Sequence, residues 1–116
     1  MAWKLTIRTG PRVEHQRFDG LEDVLDAVEA RGRELAESAR SEPVDVKFKR
    51  FEPIQQVIAR LEFSGPQRLI PSVTAGVDVR GDGSIEAYTG RVKRRVVDQQ
   101  GDETAYGALR RELSSR

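Results

Sequence analysis

Trp3, Leu5 and Ile7 alternate with Lys4, Thr6 and Arg8, the period of a strand with one buried face. Gly10-Pro11 interrupts the run, and Val13 to Phe18 resumes it, which predicts a hairpin. Val13 and Phe18 fall on opposite faces, so the pattern alone leaves its register open. The period then changes. Leu21, Val24, Leu25, Val28, Leu35, Ala36 and Ala39 keep the i, i+3, i+4, i+7 spacing of one helical face. Asp19, with Glu22 three residues later, is the expected N-cap. Glu22, Asp23 and Asp26 sit where the helix dipole favours carboxylates. Gly32 falls on or near the apolar stripe, and Ser41-Glu42-Pro43 ends the helix.

Beyond Pro43 the alternation is that of strands. Val44, Val46 and Phe48 alternate with Asp45, Lys47 and Lys49, and Glu52-Pro53 marks a turn. Val57, Ala59, Leu61 and Phe63 form the next apolar row, closed by Ser64-Gly65-Pro66. Val73, Ala75, Val77 and Val79 form another, and Gly81-Asp82-Gly83-Ser84 is the strongest turn signal in the chain. A return strand is expected from Ile85 to about Val97. A short helix closes the chain, with Asp102 as its expected cap and Tyr106, Leu109 and Leu113 on one face. The predicted order is ββαββββα. Short connections favour antiparallel pairing, so the expected fold is a single α+β domain spanning 1–116. It has a mainly antiparallel six-stranded sheet with two helices packed on one face.

A turn centred on Asp82-Gly83 pairs residues whose numbers sum to 165: Val77 with Tyr88, Ala75 with Gly90, Val73 with Val92. The opposite face then receives Thr74, Asp78, Ala87, Thr89, Arg91, Lys93 and Arg95. Strands 44–50 and 54–63 add Lys47, Lys49 and Arg60, with Asp45 and Glu62. The expected open face therefore carries Lys47, Lys49, Arg60, Arg91, Lys93 and Arg95 against three acidic residues. These six are the candidate contacts for an acidic partner.

Charge adds detail to that picture without changing it. Twenty basic residues oppose 19 acidic ones, a net charge of +1, so bulk charge does not mark a nucleic-acid binder. The distribution is uneven: residues 1–43 sum to −2 and residues 44–100 to +3. Arginine supplies most of the basic residues and offers the planar, bidentate donors that suit carboxylate and phosphate. With 37% hydrophobic residues in 116, the chain has enough apolar material for a core. Neither a secretory signal nor an apolar run long enough for a membrane span is present, which points to a cytoplasmic protein with no membrane partner.

The chemistry-bearing residues form no recognisable catalytic set. There is no cysteine, which excludes disulfides, thiolate metal sites and cysteine nucleophiles. His15 is the only imidazole, and on a strand its neighbour Glu14 points to the other face. No serine occupies a G-x-S-x-G turn. Asp78 to Thr89 resembles a calcium loop only at Asp78, Asp82 and Gly83, with a cation at Arg80 where an oxygen ligand belongs. Glu22, Asp26 and Glu29 lie one turn apart, away from the apolar stripe, and read as a solvated helix face. No metal or cofactor is expected. The reading is a non-catalytic binding or protein-interaction module whose basic sheet face meets an acidic protein surface or a nucleic acid, with homodimerisation left open. Alternatives are nucleic-acid binding through Arg91 to Arg95 itself, and a small apolar-ligand carrier or enzyme with a cavity between helix 20–40 and the sheet.

Overall fold

The computed structural model describes residues 3–41, 56–65, 73–90 and 93–114. Its elements follow the predicted order. They are β1 (Trp3–Thr9), β2 (Arg12–Phe18), α1 (Leu21–Ser41), β3 (Val57–Gly65), β4 (Val73–Arg80), β5 (Ile85–Thr89), β6 (Arg95–Val96) and α2 (Ala105–Ser114). The six strands form one antiparallel sheet in the order β2-β1-β3-β4-β5-β6. The expected strand over 44–50, and with it Lys47 and Lys49, lies outside the described residues, as does Arg91.

The alternation read from the sequence assigns the faces of the three central strands. Leu5 is opposite Phe63 and Ile7 opposite Leu61, while Leu61 is in turn opposite Val77 and Phe63 opposite Ala75. All are buried. Against this face α1 buries Val24, Leu25, Val28 and Ala36, and α2 buries Ala105, Tyr106, Leu109 and Leu113. Burial of this apolar surface is the main stabilising term. The helices are also joined by charge. Arg110 of α2 bonds Asp26 at 2.7 Å and Glu22 at 3.1 Å, with Glu29 at 3.5 Å. The carboxylate row expected to face only solvent is thus a clamp for the second helix.

Both caps fall on different residues from those expected. The Val24 N–H donates to the Gly20 carbonyl, which makes Gly20 rather than Asp19 the N-cap of α1. In α2 the Gly107 N–H donates to Thr104 Oγ1 at 3.0 Å, so Thr104 rather than Asp102 caps that helix. A capping side chain bonds the N–H of the second or third helical residue, here Tyr106 or Gly107, and Asp102 is too far back to reach either.

The larger correction concerns the hairpin register. Val77 pairs with Ala87, Ala75 with Thr89 and Gly76 with Tyr88, one residue away from the expected alignment. The loop holds three residues, Gly81 to Gly83. The Gly83 N–H donates to the Arg80 carbonyl, and the Arg80 N–H to that of Ser84. Gly83 has φ +86°, the left-handed residue that ends a three-residue hairpin loop. Loops of two and four residues share one register, whereas an odd loop shifts it by one and exchanges the faces. Ala87 and Thr89 therefore join the helix side, and Glu86 and Tyr88 the open side.

The return strand is also shorter than expected. After Gly90, at φ +98°, the chain turns back, and β6 pairs with β5 through Tyr88–Val96 and Thr89–Arg95. Being opposite Thr89, Arg95 stands on the helix side, where it lines a surface recess with Arg111 and Glu112.

Candidate functional site

The face of the sheet away from the helices is organised in cross-strand rows. One row runs Arg17, Lys4, Ser64, Thr74. The next runs His15, Thr6, Glu62, Gly76, Tyr88, Val96. The third runs Val13, Arg8, Arg60, Asp78, Glu86. Strand alternation places each of these side chains on the open side.

The β3–β5 half of this face is internally neutralised. Arg60 donates to both oxygens of Asp78, at 2.6 and 3.0 Å, a bidentate pair in which Asp78 is only 7% exposed. The hydrogen bond to Asp78 holds the Arg60 guanidinium more firmly protonated than usual. Arg80 bonds Glu86 at 2.9 Å, and Arg94 reaches Glu62 at 3.4 Å. Every acidic side chain in these three rows thus has an arginine of its own.

Tyr88 lies at the centre of this half, 3% exposed. Its hydroxyl donates to Glu62 Oε1 at 2.7 Å, crossing Gly76, which has no side chain to obstruct it. Arg94 and Arg60 place their guanidinium carbons 4.9 and 5.6 Å from the ring centroid. Burial and the Glu62 carboxylate push the phenol well above its ordinary range. This neutral, hydrogen-bonded tyrosine is a structural strut.

The β1–β2 half differs. Lys4, Arg8 and Arg17 make no ion pair among the described residues. Lys4 stands directly opposite Arg17, and Arg8 directly opposite Arg60. Like charges in direct cross-strand pairs are destabilising. His15, exposed beside them, meets the Thr6 hydroxyl at 3.2 Å. The face thus carries a one-sided cationic field next to a neutral network. Among the described residues no cluster of His, Asp and Glu side chains is arranged to hold a metal ion.

Of the six candidates, Arg60 stands on this face, though committed to Asp78. Lys93 is exposed in the turn before β6, and Arg95 is on the other side. Lys47, Lys49 and Arg91 lie outside the described residues. Lys4, Arg8 and Arg17 were the residues missed. Their signal was the polar half of the first alternation, which the denser basic run at 91–95 overshadowed. Neither described helix is long and apolar enough to cross a membrane. Comparison with protein-family models, with curated proteins and with solved structures finds no match to this chain.

Proposed function

We propose that the protein is a non-catalytic binding module that receives an acidic partner on the open face of its sheet. One observation carries this reading. Among the described residues Lys4, Arg8 and Arg17 make no ion pair and stand opposite like charges, while every acidic side chain in the same three rows is already held by an arginine. An anionic partner would relieve that repulsion and leave the neutralised half undisturbed. Arg60 borders the patch, and Lys93 lies beyond the neutral network.

The test is anisotropy of a labelled acidic peptide and a labelled DNA duplex between 50 and 300 mM salt. Binding that weakens steeply with salt, and is lost in the Lys4→Glu/Arg8→Glu/Arg17→Glu variant while the fold persists, is the expected outcome. Wild-type protein that binds neither probe at 50 mM salt overturns the reading.

A further inference from the structure

The two edges of the sheet are unequal. Among the described residues one edge is the two-residue β6, and the other is the seven-residue β2, with β1 as its strand neighbour. The turn before β2 fixes which of its backbone groups point away from β1. Gly10, at φ +59°, precedes Pro11, and positive φ at the first of two central residues marks a type II′ turn. Thr9 and Arg12 are then the hydrogen-bonded closing pair. Antiparallel pairs alternate, so Glu14, Gln16 and Phe18 also bond β1, while Val13, His15 and Arg17 turn their N–H and C=O groups outward. These three residues also carry their side chains on the open, cationic face.

We infer that β2 accepts an extended acidic peptide as a seventh, antiparallel strand; this rests on the proposed reading of the cationic face. Residues opposite Val13, His15 and Arg17 would exchange backbone hydrogen bonds with them and share their face. Carboxylates there fall beside Arg17 and His15, with Lys4 and Arg8 one strand further in. Val13, 44% exposed, offers an apolar contact at one end. The same charges disfavour a second copy as occupant. A symmetric antiparallel pairing about His15 places each Arg17 opposite the other copy's Val13 and brings both cationic rows together. A nucleic acid fits less well, because the face's aromatic ring among the described residues, Tyr88, is buried between Arg60 and Arg94 and offers no surface for a base.

The experiment titrates ¹⁵N-labelled full-length protein at 50 mM salt with a nine-residue peptide alternating glutamate and threonine. Two copies of the peptide are N-methylated, one at the glutamates and one at the threonines, and duplex DNA is the fourth probe. Antiparallel addition puts the glutamate N–H groups in the ladder. A loss of tenfold or more on methylating the glutamates, with the threonine-methylated peptide unchanged, is expected. The amide protons of Val13, His15 and Arg17 should also slow in exchange. Equal affinity of all three peptides overturns strand addition and leaves the charge reading standing. Loss on the threonine-methylated peptide instead overturns the antiparallel assignment. Binding of DNA with no peptide bound overturns the peptide as partner, and no binding at all removes the cationic-face reading as well.

Discussion

Tyr88 reaches Glu62 across an intervening strand, its hydroxyl 2.7 Å from the carboxylate, because the residue between them is Gly76. A Cβ at Gly76 would overlap the Leu61 carbonyl oxygen and stand 2.9 Å from Glu62 Cα, both backbone atoms, and 2.8 Å from the Tyr88 hydroxyl. Backbone in the middle of a sheet has little room to give. Gly76→Ala is therefore expected to lower stability by about 2–3 kcal/mol, the upper part of the overpacking range. Urea denaturation checks this, and an unchanged midpoint would mean that Tyr88 does not lie across β4.

The packing of α1 on the sheet gives the second expectation. Leu25 is buried within the main cluster, and truncation there leaves a cavity into which the surroundings relax only in part. Leu25→Ala should cost about 2–5 kcal/mol. A loss below about 0.5 kcal/mol in the same denaturation assay would mean that another face of α1 meets the core.

Alkaline stability depends on two phenols, the only tyrosines in the chain. Burial pushes Tyr106 up to about 12, with Glu29 adding to the rise and Arg33 and Arg40 opposing it. Burial and Glu62 raise Tyr88 further. The unfolded chain releases both protons near pH 10 while the folded chain keeps them, so stability is complete below about pH 10 and declines above it. Each phenol contributes a slope of up to about 1.4 kcal/mol per pH unit, and that of Tyr106 is exhausted by about pH 12. Tyrosinate absorbance at 295 nm should rise together with loss of circular dichroism. An ordinary titration near pH 10 in a protein that stays folded would contradict the burial of both rings.

Arg110 ties the helices together through three carboxylates, of which Glu22 and Asp26 are largely exposed. Exposed ion pairs are weak and screened by salt. Arg110→Met should cost about 1 kcal/mol at low ionic strength, and the difference should shrink in 1 M sodium chloride. A cost that does not change with salt would locate the contribution of Arg110 in its aliphatic stem.

The sequence was most informative where one physical rule governs several residues. Leu5 and Ile7, Leu61 and Phe63, and Val77 and Val79 declare their faces because each strand gathers these apolar side chains on one side, and the α1 stripe declares itself for the same reason. It was least informative where one residue decides. Whether Asp82-Gly83 or Gly81-Asp82-Gly83 forms the loop is a choice between two turn geometries that both accept glycine and aspartate. That choice determined whether Tyr88 entered the core or lay beside Glu62. Asp82 accepts from the Ser84 N–H and hydroxyl, a local arrangement that suits the wider loop but leaves no mark on the hydrophobic pattern. The cationic patch was half legible. The alternation of Lys4, Thr6 and Arg8 shows which way they point, but only the register with β2 and β3 brings Arg17 and Arg60 opposite them.

The unequal edges set a limit on assembly. A sheet that can be extended at both ends is a bifunctional unit and grows into chains, as monomers with two reactive ends do. Here the fold-back after Gly90 leaves only a two-residue strand at one end, so the described sheet is effectively monofunctional. Whatever adds to β2 terminates the array, and raising the concentration fills that site without lengthening a polymer.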